Sequence, residues 1–526
     1  LVVPEESVTL RPGASPQRPN ALDQRRELVR HTLAYHVHLE LEHGAAETRH
    51  VDLLLNAHTG GLIRQWESLP TAGTKGTGRS QYSGTVTLDT NTVASGFELR
   101  DTTRGVGGSF GSNAVTNLNH GVSGTGTVYT DVDNIWGDGT NYGTSNPATT
   151  GPTGQTAAVD AAYGLQATWD YYGKIHGRRG IDGTGRATYA RVHYSSGYDN
   201  AFWSDACFCM TYGDGSVLKS LTALDVAGHE LTHGVIASTA KLIYSGESGG
   251  LNEAHADIHG TLAEFHARSG AGATVPNTAP GANWTLGEQL TTPQFPNPLR
   301  YLAKPSKDGR SPDAWSPSLA GLDVHYSSGP MNRAFYFLAQ GASATAGAET
   351  YSSYLPEGMT GVGNDHAARI SYRALTAYMT ATTTYAAARV AYISAAKALY
   401  GAGSPEEKAV WNAFAAINVG GKWIVPDTTA PSASVKVTGT SGTVTFTATA
   451  SDNIGVARVE FWVDGFLKGT LTAAPYTLPF ASTTLANGPH VLVARAYDAA
   501  GNLGVSGSQA FTVTNVKDTT APVVSI

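Results

Sequence analysis

Leu224 to Gly234 reads LDVAGHELTHG, and a short gap later Gly249 to Gly260 reads GGLNEAHADIHG; nothing else in the 526 residues restricts the fold as tightly. A helix turns once every 3.6 residues, so His229 and His233, at i and i+4, leave one face with an imidazole nitrogen each toward a common point. One helix thereby supplies two zinc ligands. Glu230 lies beside them but off the ligand face, which suits a general base rather than a third ligand. Twenty residues past His233, Glu253 opens a second apolar-periodic segment with Ile258, Leu262 and Phe265. The gap is long enough to end one helix, turn and begin an antiparallel one, so Glu253 reads as the third ligand. Asp257, one turn further on, can accept the free ring N–H of His229 and fix its tautomer, with Asn252 in the same outer layer.

A bare HExxH could be two satisfied histidines on an ordinary helix; the downstream NEAxxD argues against that. Together, HELTHGV and GGLNEAHAD resemble the thermolysin family of secreted zinc metalloproteases, in its vibriolysin- and pseudolysin-like branch. The GxMEN loop of related N-terminal-trimming enzymes is not found. The resemblance implies a multidomain α+β chain. Its catalytic domain (73–426) would have a β-rich half (77–224), a helical half (225–426) and a substrate cleft at their junction. The implied activity is endopeptidase hydrolysis by zinc-activated water, with Glu230 as base.

Further residues take roles through the same resemblance. Tyr244 in KLIYSGESGG and His325 in GLDVHYSSGPMNRAF stand where the family keeps two donors for the oxyanion. Asp323 would hold His325 cationic. Arg300 in NPLRYL resembles the arginine that binds the carbonyl of the residue just after the cut. Val226, Leu286 and Leu299 would line an apolar pocket for that residue, implying cleavage on the amino side of hydrophobic side chains; each is otherwise plain core. Asp199 to Trp203, DNAFW, followed by YGDG at Tyr212 to Gly215, resembles the edge strand with which an extended substrate pairs. Asn200 would hold a substrate amide, and the carbonyls of Ala201 and Trp203 would take backbone contacts. The stretch from Trp203 to Tyr212 is longer than the family pattern. Asp225, Glu264 and Glu288, with Asn283, resemble the set that holds structural calcium. Asn283 and Thr285 replace acids of two-calcium members, so one ion is implied; solvated surface acids are the alternative.

Charged residues are only 15% while Gly (61) and Pro (24) are plentiful, which fits a secreted, loop-rich bacterial protein. A net charge of -7 without a basic stripe argues against a nucleic-acid partner. No apolar run reaches transmembrane length, and Leu1 opens with neither a charged n-region nor an h-region, so a signal peptide is expected to have been left out of this sequence. Cys207 and Cys209 are the only cysteines. They could form a small ring, remain thiols, or find an outside partner.

Residues 1–72 read as an antiparallel sheet. Leu33, Tyr35, Val37, Leu39 and Leu41 alternate with polar neighbours, as do Val51, Leu53 and Leu55, before a turn at His58 to Gly61 and a strand from Leu62 to Trp66. The position resembles the strand-rich end of a prosegment, chaperone and inhibitor of its own enzyme; a first sheet of the catalytic domain is the alternative. Thr71 to Ser80 reads as an open Gly/Thr loop, with processing expected within 66–80. Strands are expected at Tyr82 to Leu88, Gly96 to Arg100 and Ala187 to His193. Helices are expected at Ala157 to His176, Gly329 to Gln340, Asn364 to Thr380, Tyr385 to Tyr400 and Pro405 to Ile417, the last behind a Ser404–Glu407 capping box.

Asp427-Thr-Thr-Ala-Pro431 recurs as Asp518-Thr-Thr-Ala-Pro522, so 427–517 is one unit and 518–526 the start of another. Val444/Phe446/Ala448, Val459/Phe461/Val463 and Val491/Val493 alternate between turns, which reads as an Ig-like β-sandwich. It resembles bacterial modules that act as spacers or bind surfaces and polysaccharides. Two other functions compete with the protease: an adhesin built on a decayed protease, and a zinc hydrolase of non-protein substrates.

Overall fold

Four strands, β1 (Val2–Leu10), β2 (Gln24–Leu41), β3 (Arg49–Asn56) and β4 (Leu62–Glu67), pair antiparallel in sequence order. In β2 the large apolar residues stand on the open face, with Leu33, Tyr35 and Leu39 exposed while Thr32 and Ala34 are buried. The computed structural model describes residues 2–10, 24–41, 49–67, 73–143 and 148–524. Leu1 to Trp423 form one unit and Ile424 onward a second, so the break falls slightly before the expected 426/427 boundary.

The expected open loop at Thr71 to Ser80 is corrected over its described part, since residues 71–72 lie outside the described residues. Thr74–Ser80 is strand β5, paired antiparallel to β6 (Gly84–Val93) and parallel to β12 (Ile135–Trp136). Its inward positions are Gly76, Gly78 and Ser80. A Cβ on Gly78 would meet Val159 at 2.7 Å and Leu88 at 2.9 Å, so the backbone itself fills the space a side chain would signal. The strand expected from Tyr82 starts at Gly84, after a turn.

The five-stranded sheet is completed by β7 (Gly96–Glu98) and β11 (Thr130–Asp131), in order β11-β7-β6-β5-β12. A second sheet runs β10 (Thr127–Val128), β9 (Asn113–Asn117), β13 (Tyr189–Val192), β15 (Cys209–Tyr212), β14 (Ala201–Ser204), with β8 (Arg100–Asp101) on β9. Among the described residues β14 pairs only with β15, which leaves it at the edge of this sheet. Helix α1 (Pro152–His176) packs on both sheets.

Helix α2 (Leu224–Ala237) is buried on nearly every side, its polar residues Asp225, His229, Glu230, Thr232 and His233 included. It packs against α3 (Gly246–Arg268) through two glycines. A Cβ on Gly228 would sit 2.8 Å from the Gly260 Cα; one on Gly260 would sit 2.5 Å from the Asp225 carbonyl oxygen and 2.7 Å from the His229 nitrogen. Any other residue would push the helices apart. β16 (Thr285–Leu286) and β17 (Arg300–Tyr301) form a small hairpin, and α4 (Val324–Ser327), α5 (Gly329–Gln340), α6 (Asn364–Ala377), α7 (Tyr385–Tyr400) and α8 (Pro405–Ala415) complete the helical half. Ser404 caps α8 through the Glu407 N–H, but the Glu407 carboxylate accepts from Gly403 rather than closing the box on Ser404.

Behind α3 runs a buried chain of hydrogen bonds: His255 Nε2–Tyr392 (3.1 Å), Tyr392–Ser371 (2.8 Å), Ser371–His259 Nε2 (3.3 Å), His259 Nδ1–Tyr171 (2.8 Å) and Tyr171–His176 Nε2 (3.1 Å). Burial, with the His255 charge a smaller cause, pushes His259 down to about 3. An unfolded histidine titrates near 6.5, so acid between those values protonates the unfolded chain first and draws the protein toward it. His259 alone is expected to remove about 2 kcal/mol of stability on going from pH 8 to pH 5. Urea unfolding of a Glu230→Gln background, with and without His259→Gln, checks this: the second protein should lose less on acidification. Equal losses would show that His259 is not held neutral.

The second unit is a sandwich of Ser432–Thr438, Thr443–Ser451 and Tyr476–Ala481 against Phe466–Leu471, Val456–Val463, Gly488–Asp498, Leu503–Val505 and Gln509–Val513. Val444, Phe446, Val459, Phe461 and Val463 are fully buried. The Val491/Val493 alternation is corrected by one residue: Leu492, Ala494 and Ala496 face the core, and Val491 is 42% exposed. Both phases of HVLVARA are apolar, so the period alone did not choose a face.

Candidate active site

The α2 and α3 faces meet where the sequence spacing aims them. His229 Nε2 and His233 Nε2 lie 3.1 Å apart, and the Glu253 carboxylate faces them at 3.5 Å and 3.4 Å. All three side chains are buried, and Glu253 Oε2 has no hydrogen-bond partner. Two neutral nitrogens and one carboxylate, with donor atoms all within 4.8 Å of one another and an orphaned buried oxygen among them, fit a tetrahedral cation such as Zn²⁺ with one position open.

The outer layer orients these donors. His229 Nδ1 faces Asp257 Oδ1 at 2.8 Å, and His233 Nδ1 bonds Asn252 Oδ1 at 2.8 Å. Asp257 is also gripped by Arg300 through two bonds of 2.7 Å and 2.6 Å, and accepts from Asn332 Nδ2 at 2.8 Å. Burial would raise the Asp257 carboxyl, but the Arg300 guanidinium and His229 hold it down to about 2. Arg300 is thus committed first to Asp257, with its Nη2 3.7 Å from Glu253. Asn332, a turn into α5, was not singled out in the sequence; no spacing rule ties it to α3.

Glu230 turns away from the ligand group toward the edge strand, where its Oε2 accepts the Trp203 backbone N–H at 3.2 Å. Burial pushes its carboxyl up, against the pull of His229 and His233. Tyr244 donates its hydroxyl to Glu253 Oε1 and lies 3.5 Å from His325 Nε2. His325 Nδ1 meets Asp323 Oδ1 at 2.8 Å, and its Nε2 points at Glu253 Oε2 from 3.5 Å. Tyr244, His325 and Asp323 therefore gather beside the Glu253 carboxylate, while Glu230 reaches the edge strand.

Beside them opens a cavity of about 490 Å³ lined by Leu299, Arg300, Asp323 and His325 together with Phe295 and Tyr326. Of the three apolar residues expected around the side chain after the cut, Leu299 lines this cavity, and its N–H donates to the Leu286 carbonyl at 2.8 Å. Val226 and Leu286 are 5% and 1% exposed, Val226 because α2 is enclosed by protein on all faces and Leu286 in the hairpin opposite Arg300. Asn200 precedes β14 and spends its carbonyl on Gly213; Ala201 and Trp203 lie in the edge strand. Cys207 and Cys209 are joined as a disulfide.

Asp225 and Glu264 are fully buried, and Glu264 Oε2 and Glu288 Oε1 are buried without a hydrogen-bond partner. Burial, and then the charge of Glu288, pushes Asp225 up to about 7; burial, then Asp225 and Glu288, pushes Glu264 well up. Asn283 Oδ1 is taken by the Thr285 N–H at 2.9 Å, and Arg268, unforeseen in the sequence, binds Glu264 Oε1 at 2.7 Å.

The family description "Thermolysin metallopeptidase, catalytic domain" matches residues 75–237, "Thermolysin metallopeptidase, alpha-helical domain" residues 240–419, and "Bacterial Ig domain" residues 427–494. A transglutaminase-activating metalloprotease of Streptomyces mobaraensis is 47% identical over 371 residues, which is 70% of this chain and 45% of that protein. A thermolysin of Bacillus sp. (strain EA1) is 35% identical over 388 residues, 70% of this chain and 63% of that protein. The chain thus spans about half the length of the curated relatives it matches. Among solved structures, the precursor of protealysin, a metalloproteinase from Serratia proteamaculans, is similar at 24% identity over 60% of this chain and 90% of that one, with a TM-score of 0.45.

Proposed function

The chain belongs to the thermolysin family of metallopeptidases through residues 75–237 and 240–419, and from that membership we propose that it is a secreted zinc endopeptidase with Glu230 as general base. The observation that carries the proposal is the convergence of His229, His233 and Glu253, with Glu230 one step along the helix and facing the edge strand. His229, His233 and Glu253 would hold the zinc, which when bound would supply a Lewis acid that lowers the pKa of water.

The protein's own groups do the rest. β14 offers an unpaired main-chain edge that an extended peptide can join without demanding particular side chains. Glu230, buried and raised in pKa, takes a proton from the attacking water and passes it to the leaving amine. His325 Nε2, its ring fixed by Asp323, and the Tyr244 hydroxyl donate to the oxygen that becomes negative after attack. Arg300 meets the carbonyl of the residue after the cut, and Leu299 supplies the apolar wall for its side chain. Digestion of casein with and without a chelator tests the reading. Chelator-sensitive cleavage at internal bonds is expected; an inactive zinc-loaded protein would leave an adhesin as the function.

One calcium ion is assigned to Asp225, Glu264 and Glu288: the orphaned buried oxygens of Glu264 and Glu288 and the raised carboxyls of Asp225 and Glu264 suit a hard cation. Their oxygens gather less closely than the zinc donors, and Arg268 already offsets part of Glu264. Calcium at about a hundredfold over its Kd adds about 2.7 kcal/mol of stability. Thermal inactivation should therefore quicken when calcium alone is removed, with turnover in the cold unchanged. Equal half-lives would rule the site out.

Residues 1–72 are proposed as a prosegment. A cut within 74–80 would break the pairing of β5, so the cut is placed before Thr74, in the stretch that includes residues 68–72, which lie outside the described residues. N-terminal sequencing should find active enzyme starting near residue 73, and a Glu230→Ala precursor still carrying residues 1–72. Fully active enzyme starting at Leu1 would mean that the first sheet belongs to the mature protein. The Ig-like unit is read as a spacer or a binder of surface polysaccharide.

A further inference from the structure

The loop between β14 and β15 is closed by a disulfide two residues wide, Cys207 to Cys209. A ring this short restricts the unfolded chain least of any disulfide, so global stability is a poor account of it. Its local effect is large. Phe208, between the cysteines, is held at φ +52°, a left-handed conformation uncommon for a bulky residue. The side chain is thereby turned inward, 3% exposed. It meets the Trp203 ring edge-on at 5.0 Å, lies under the Arg186 guanidinium at 4.3 Å, and its carbonyl accepts from the Thr188 hydroxyl at 2.7 Å.

Trp203 is fixed from three sides. Its Nε1 donates to Asp205 at 2.8 Å, its backbone N–H donates to Glu230 at 3.2 Å, and its indole lies where a Cβ on Gly234 of α2 would meet it at 2.7 Å. The line from disulfide to Phe208 to Trp203 ends on the general base and on the helix that carries His229 and His233.

We propose that the Cys207–Cys209 ring is a positioning element of the catalytic centre, seating Phe208 so that Trp203 holds Glu230 and the edge strand in register. The proposal rests on the endopeptidase reading. Reduction would release it: a trialkylphosphine breaks the S–S bond, two thiols form with protons from water, and the phosphine becomes its oxide.

The test measures kcat and KM of the zinc-loaded full chain on an internally quenched peptide, well below its Tm. Five proteins are compared: wild type, Cys207→Ser/Cys209→Ser, Phe208→Ala, Phe208→Tyr and the triple variant that combines both serines with Phe208→Ala. Both partial variants should lose about 10-fold in kcat/KM, mostly in kcat, at unchanged zinc content. The triple variant should lose no more than either, because they act through one contact, and Phe208→Tyr should restore most of the rate. Phosphine-treated wild type should match the serine variant and recover on reoxidation, which keeps the test open if that variant does not fold. Unchanged kcat/KM with only a lowered Tm, or losses that multiply in the triple variant, would overturn the proposal. A wild type inactive on every peptide would instead sink the endopeptidase reading.

Discussion

Glu230→Gln should lower kcat/KM by about 10²- to 10⁴-fold and leave the zinc content unchanged. Glutamine keeps the shape and can still accept the Trp203 N–H that the carboxylate accepts at 3.2 Å, so the fold around β14 has no reason to move. What it lacks is a site for the proton. The buried position pushes the carboxyl upward, toward the working pH at which a base both accepts and returns a proton. The candidate ligands are untouched, since His229, His233 and Glu253 keep their side chains and their mutual distances of 3.5 Å and 3.4 Å. Metal analysis beside kinetics decides the matter: zinc lost together with activity would make Glu230 a ligand, and unchanged activity would hand the proton to another group.

Glu253→Ala should fail in the opposite order, with metal leaving first and activity following. Its carboxylate lies 3.5 Å from one histidine Nε2 and 3.4 Å from the other, and two imidazoles alone hold Zn²⁺ weakly. Asp257→Asn provides the internal scale. It leaves the three candidate ligands in place and weakens the support behind His229 together with the Arg300 pair, where such changes cost about 10- to 100-fold in metal affinity, and Glu253→Ala should exceed that. Zinc retained by Glu253→Ala against a competing chelator would remove Glu253 from the ligand set.

The convergence of His229, His233 and Glu253 could be read from the chain because its geometry is local: two positions of one helix, and a third at a distance that fits a helical hairpin. Chemistry that depends on how elements dock left no mark. Asn332 reaches Asp257 from α5, and Trp203 meets Glu230 through a backbone N–H that any residue would carry. β5 was mistaken for a loop because its inward positions are glycines, whose burial leaves no apolar period. Val491 and Val493 misled for the converse reason, an excess of apolar residues in both phases of one strand.

The contact of Gly228 on Gly260 makes the metal centre resistant to retuning by side-chain exchange. The two helices already touch backbone to backbone, so they cannot slide together to follow a shorter ligand such as aspartate at Glu253. Nor can they part for a larger ion without giving up that contact. Cation preference in this protein is therefore inherited from the spacing of two main chains, and redesign toward a different metal has to begin by rebuilding the helix pair.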